Sequence, residues 1–199
     1  MKTRYFSTRA SALIAALTLS LGAHNTLAQG VPQVKFATTA GDFVVEVYPD
    51  KAPRTVENFL QYVTEKHYDG TIFHRVIDNF MIQGGGFDTS FTQKKTRAPV
   101  SHEGREALAK GGPKNVVGTL AMARTNDPNS ASAQFFINVK DNAFLDPTAQ
   151  QPGYTVFGRV TSGMDVVQKI KAAPTGAGGP FPSDVPKTPI VINSATLVK

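Results

Sequence analysis

Two stretches of this chain bring together residue types that could do chemistry: Phe73-His74-Arg75-Val76-Ile77-Asp78-Asn79-Phe80-Met81-Ile82-Gln83, running on into Gly84-Gly85-Gly86-Phe87, and Gln134-Phe135-Phe136-Ile137-Asn138. Each sets a few polar or charged groups among large apolar side chains, the composition of a concave apolar site with few orienting groups. Arg75 offers a permanent positive charge and a rigid fork of N–H donors. Gln83 and Gln134 add one amide each. Taken singly, these residues are equally well explained as strand core, and the three glycines as a turn; their combination and order favour a site.

Other chemistries find little support. The chain has no cysteine, which excludes thiolate catalysis and cysteine metal sites. It has no G-x-S-x-G elbow, and beyond the first 28 residues its histidines are His67, His74 and His102, none paired at helical metal-ligand spacing. Gly176-Ala177-Gly178-Gly179 lacks the strand-to-helix context of a nucleotide loop. No cofactor and no metal are expected.

The elements that must position these residues can be read from hydrophobic periodicity. Val34 and Phe36, then Phe43, Val45 and Val47, alternate around Ala40-Gly41-Asp42 and predict a hairpin. Pro53 suits a first helical turn, and Val56, Phe59, Leu60 and Val63 share one helical face, so a helix is predicted over 53–66. Strand-like runs recur over 72–76, 80–83, 117–123, 134–139, 154–160 and 190–198, separated by Gly, Pro, Asn and Asp clusters. That spacing favours a closed all-β architecture, with the first and last strands paired to remove two open edges. A second helix is predicted from Ser162, with Ser162 as its cap and Met164, Val167 and Ile170 buried at one barrel end. Residues 174–189, rich in Pro and Gly, are read as a long surface loop.

Residues 1–28 stand apart. Lys2, Arg4 and Arg9 precede an apolar run from Ser11 to about Ala23 and then Thr26-Leu27-Ala28, which reads as a secretory signal peptide, cleaved after Ala28. The run is too short for a stable membrane anchor, which needs roughly 18 to 20 apolar residues. Those three basic residues account for half of the formal net charge of +6. Lys94-Lys95-Thr96-Arg97 is the one dense basic run that remains, and without a surrounding basic stripe it reads as a solvated loop, so no nucleic-acid partner is expected. Residues 29–199 are long enough for one domain with a single core. A periplasmic location is expected.

In their order along the chain, Phe73-His74-Arg75, Phe80-Met81-Ile82-Gln83-Gly84-Gly85, Met122-Ala123-Arg124 and Gln134-Phe135-Phe136-Ile137 resemble the cyclophilins, the peptidyl-prolyl cis/trans isomerases, in their exported bacterial branch. The resemblance runs from the first hairpin through Phe144-Leu145-Asp146 and Tyr154-Thr155-Val156-Phe157-Gly158 to the last strand. It implies a mainly β fold, a closed eight-stranded antiparallel barrel with two α-helices covering its ends. It also implies isomerase activity on proline-containing peptides and unfolded exported proteins, by a monomer. Arg75 would be catalytic. Phe80, Met81, Phe136 and Leu145 would hold the proline ring, Gln83 would orient the arginine, and Ala123, Arg124, Thr125 and Gln134 would line the peptide groove. His74, one residue before Arg75 on a strand, is expected on the opposite face in a supporting role. The alternative function is a non-catalytic periplasmic peptide-binding module or chaperone.

Three positions depart from the best-known eukaryotic members: Phe144 stands for a tryptophan, Arg124 for an asparagine and Tyr154 for a pocket histidine. The tryptophan position helps bind the cyclosporin inhibitor in that family, so weaker inhibition is expected here.

Overall fold

The computed structural model describes Met1 and residues 30–198. The expected signal peptide therefore lies outside the described residues. The strands β1 (Gln33–Thr38) and β2 (Gly41–Val47) form the first hairpin, followed by helix α1 (Pro53–Thr64), β3 (Thr71–Ile77) and β4 (Met81–Asp88). Then come α2 (Gly104–Ala109), β5 (Thr119–Met122), β6 (Phe135–Asn138), β7 (Val156–Ser162), α3 (Met164–Lys171), the short β8 (Thr175–Gly178) and β9 (Phe181–Pro186), and β10 (Val191–Leu197). Eight strands close a barrel in the order β1-β10-β3-β4-β6-β5-β7-β2, every pair antiparallel. First and last strands meet, with Phe36 opposite Ala195, so the expected pairing of the chain's two edges is what seals the cylinder.

Alternation of side chains across the pleat sorts the strands into two apolar layers. Phe36, Phe43, Phe73, Phe135 and Phe157 point inward, join Phe59 of α1 and fill the barrel. Phe36 stacks on Phe43 with ring centres 5.0 Å apart, and Phe59 packs on Phe157 at 5.1 Å. On β4, β5, β6 and β7 the alternate residues Met81, Ala121, Phe136 and Val156 face outward, yet they are also buried, in a second cluster closed by Leu145. Strands covered on both faces read as unbroken apolar runs, and Phe135-Phe136-Ile137 is such a run.

Three predictions need correction. Ser162 is the last residue of β7, and Gly163 at φ +78° starts α3, with no side-chain cap. A Cβ at Gly163 would collide with the Asp42 carbonyl oxygen and the Phe43 backbone, so the strand passes into the helix through a close approach open only to glycine. Val167 and Ile170 are buried as expected, whereas Met164 is half-buried. Among the described residues there are three α-helices rather than two, because the segment between β4 and β5 contains α2. The 174–189 segment, read as a loop, is largely the β8–β9 hairpin, which packs on β3. Its strands are Gly- and Pro-rich and gain their order from aromatic packing with Phe91 and Phe87, a long-range contact that local pattern does not carry.

Glu103, just before α2, sends a fully buried carboxylate to the start of α1. Its oxygens accept from the Arg54 N–H (3.2 Å), the Thr55 N–H (2.7 Å) and the Thr55 hydroxyl (2.7 Å), and Arg54 Nε lies 3.3 Å away. Pro53 and Ala52 cannot supply a capping side chain, so an acidic group from 48 residues downstream satisfies the orphan donors of the helix and suits its positive end. Replacing Glu103 by Ala should lower the unfolding free energy in urea by about 2–4 kcal/mol, with Glu103→Gln in between. A loss below about 0.5 kcal/mol for Glu103→Ala would show that the cap is dispensable.

Candidate active site

A break in register between β3 and β4 builds the polar side of the site. Phe73 pairs with Gly84 and Arg75 with Gln83, so β3 uses two residues where β4 uses one. His74 is the extra residue of a β-bulge. Phe73 and Val76 can therefore both face the barrel core while the two residues between them face outward. This corrects the expectation that His74 points away from Arg75: both line one groove of about 420 Å³. Period-2 alternation holds only while pairing is regular, and the bulge suspends it for one step.

The Arg75 side chain is exposed and, among the described residues, forms no hydrogen bond or ion pair, so its guanidinium is free to meet a ligand. Gln83 sits opposite it in register and is also opposite Phe136 on β6. The Gln83 amide is engaged by Gln134 rather than by Arg75: Gln83 Nε2 donates to Gln134 Oε1 at 2.9 Å. Gly86 makes this possible, since a Cβ there would stand 2.5 Å from Gln134 Cγ and Cδ. The Gly84-Gly85-Gly86 run is thus part of β4, where it clears room for neighbouring side chains.

Beside the groove lies the outward apolar cluster. Met81, Phe136 and Leu145 form it with Ala121 and Val156, and Phe80, Ala123 and Tyr154 pack on its edge. Ala123 also lines the groove, along with Arg124, Thr125 and Gln134, and so joins the apolar cluster to the polar channel. Phe144 stands at the rim, 65% exposed, stacked on Phe80 with ring centres 5.7 Å apart. Tyr154 meets Phe136 edge to face at 5.5 Å, and the Arg124 guanidinium lies over the Tyr154 ring at 4.5 Å. The structure therefore brings all the residues named from the sequence onto one continuous face.

Sequence reading missed two groups here. The first is a buried polar network behind the apolar cluster. Asn138 Nδ2 donates to Thr119 Oγ1 (2.9 Å) and Asn115 Oδ1 (3.3 Å), and Asn138 Oδ1 accepts from Asn142 Nδ2 (2.7 Å). Asn142 Nδ2 also reaches the Phe80 carbonyl (2.9 Å), while Asp146 Oδ1 accepts from Asn115 through its backbone and side-chain nitrogens. These bonds tie the turn carrying Phe144 and Leu145 to β6 and to Phe80. Asn and Asp read locally as loop formers, and only burial reveals them as struts. The second group is the aromatic wall made by Phe87 and Phe181 over His74, at 4.8 and 5.4 Å between ring centres.

That wall leaves the His74 ring 3% exposed, with Nδ1 unpartnered. Burial above all, opposed by a backbone hydrogen bond with Ile72 and aided by the Arg75 charge, pulls its pKa from the ordinary 6.5 down to about 4. The ring is neutral at pH 7, which suits a packing role and not that of a proton donor. Among the described residues no group of three or more His, Cys, Asp or Glu side chains is placed to hold a metal ion.

Residues 33–197 match the family described as cyclophilin type peptidyl-prolyl cis-trans isomerase. The chain belongs to this family. A peptidyl-prolyl cis-trans isomerase of Streptomyces antibioticus is 56% identical over 168 residues, covering 83% of this chain and 98% of that protein. Peptidyl-prolyl cis-trans isomerase B of Escherichia coli K12 is 53% identical over 167 residues, covering 82% and 98%. A crystal structure of a cyclophilin type peptidyl-prolyl cis-trans isomerase of Cryptosporidium parvum, in the presence of the dipeptide Ala-Pro, superposes with a TM-score of 0.69 at 25% identity, covering 84% of this chain and 99% of that one. In this cyclophilin the eight-stranded barrel is thus the family's fold.

The His74 burial carries a pH signature. The unfolded chain takes up the His74 proton near pH 6.5 and the folded chain only near pH 4, so this contribution to stability is complete above pH 6.5 and is lost as pH falls to about 4. Burial also lowers the His67 and His102 values, so they add to the slope in the same direction. His74→Phe should flatten the loss across that window by up to about 3 kcal/mol in denaturant titrations. An unchanged slope would refute the neutral, buried assignment.

Proposed function

We propose that the chain isomerises X-Pro bonds with Arg75 as its catalytic group and the Phe80, Met81, Phe136 and Leu145 hollow as the seat of the proline ring. Isomerase activity follows from membership of the cyclophilins; the assignment of roles rests on the free guanidinium of Arg75 standing in a groove that borders the apolar cluster through Ala123. A prolyl amide resists rotation because its nitrogen lone pair is delocalised into the carbonyl, with a barrier of about 20 kcal/mol. A donor that favours the twisted amide, together with an apolar seat, lowers that barrier with no covalent step. The twisted amide is less dipolar than the planar one and loses less on leaving water. A charge-assisted hydrogen bond of roughly 1.5 to 3 kcal/mol corresponds to about ten- to hundredfold in rate, and positioning supplies the remainder.

The extended substrate would lie along Ala123, Arg124, Thr125 and Gln134, whose side chains border the same channel. The clients we propose are unfolded exported proteins in the periplasm, acted on by a monomer. The basic, then apolar, then small-residue order of residues 1–28 supports export. No helix among the described residues is long and apolar enough to cross a membrane.

In an NMR exchange assay on an Ala-Pro peptide, Arg75→Ala should lower kcat/KM at least tenfold while changing peptide affinity much less. Equal turnover in wild type and Arg75→Ala, or a loss confined to affinity, would leave only a peptide-binding module.

A further inference from the structure

The groove carries a charge that nothing in it balances. Its lining includes the guanidinium groups of Arg75 and Arg124 and contains no Asp or Glu. Arg124 is held without a counter-ion. Its Nε and Nη2 donate to the Gly153 carbonyl at 3.2 and 2.8 Å, its Nη1 donates to the Thr125 carbonyl at 2.8 Å, and its face rests on Tyr154. Neutral acceptors and an aromatic ring fix the position of the group and leave its positive charge intact. The nearby Asp127 carboxylate turns to the Asn129 N–H (2.9 Å), and neither arginine forms an ion pair among the described residues. His74, the remaining titratable group on the groove, is neutral at pH 7.

From this we infer that Arg124 forms an anion subsite that makes the enzyme select X-Pro segments with an acidic side chain flanking the proline. The inference rests on the proposed seat for the proline ring. Tyr154 touches Phe136 of that seat on one side and Arg124 on the other, so the guanidinium stands one ring beyond it. An extended chain advances about 3.4 Å per residue, so a glutamate side chain on a residue adjacent to the proline is long enough to turn toward the guanidinium. A lysine there meets two like charges and is disfavoured. Because the cation is already fixed by the protein, little ordering opposes the contact.

The test is kcat/KM by exchange NMR on two peptide series, Ala-Xaa-Pro-Phe and Ala-Ala-Pro-Xaa, with Xaa as Glu, Gln or Lys, at about 20 mM and about 0.5 M salt. Glu should exceed Lys by about fivefold in at least one series at low salt, and the ratio should shrink at high salt. Arg124→Gln should reduce the ratio below about twofold, while Arg124→Lys, which keeps the charge but not the bonds to the Gly153 and Thr125 carbonyls, should retain most of it. A mere structural role would make the two variants alike. Absence of a Glu over Lys preference in both series, or a preference that survives Arg124→Gln, overturns the inference. The Gln peptides report separately on the isomerase reading: activity there, lost in Arg75→Ala, stands whichever way the charge ratio falls.

Discussion

The irregular pairing of β3 with β4 fixes what the rest of this molecule can do. A regular antiparallel ladder would send Phe73, Arg75 and Ile77 to one face and His74 and Val76 to the other. With Phe73 committed to the aromatic core, regular pairing would bury Arg75 among Phe36, Phe43 and Phe135, where an unpaired guanidinium costs several kcal/mol. One extra residue at His74 resolves the conflict: Phe73 and Val76 stay inside, and the cation emerges onto the groove. The cost of the bulge is a histidine with an unpartnered Nδ1, kept neutral beneath Phe87 and Phe181.

From that constraint the organisation of the outer face follows. Side chains that alternate away from the barrel core would normally meet water, yet Met81, Ala121, Phe136 and Val156 form a second apolar layer. The chain covers them with the turn carrying Phe144 and Leu145 and with Tyr154, and a buried Asn and Asp network clamps that cover to β6. The result is an outer apolar cluster held by hydrogen bonds from behind. Such bonds are directional and fix position more sharply than apolar packing does. The same logic recurs at Glu103, where a buried carboxylate on one segment organises the first turn of a distant helix.

A prolyl isomerase needs little from its site beyond this. The reaction makes and breaks no bond, so the demands are a fixed donor, a seat of the right shape and a channel for an extended chain. The residues proposed for these roles lie on the wall of the cylinder, in the groove and the outer apolar cluster, rather than in its interior, which is packed with aromatic and aliphatic side chains. Arg124 adds a second positive charge to that channel, held in place by backbone carbonyls and by the Tyr154 ring.

Much of this was legible from the order of residues alone. Alternating apolar residues gave the β1–β2 hairpin, the helical face gave α1, and the Phe-His-Arg, Phe-Met-x-Gln and Gln-Phe-Phe-Ile runs identified the strands that carry the site. Those signals are local: they depend on side-chain period and on residue type over a few positions. What the tertiary structure decided is whatever depends on partners far away in the chain. The bulge at His74 is invisible without β4. Gly163 replaces Ser162 as the start of α3 because the Asp42 carbonyl stands in the way. The 175–186 hairpin is ordered by Phe91 and Phe87, and Asn115, Asn138 and Asn142 look like turn residues until their burial beside Asp146 shows that they are struts. Local pattern specifies which face a side chain prefers, whereas only the closed barrel specifies what waits for it there.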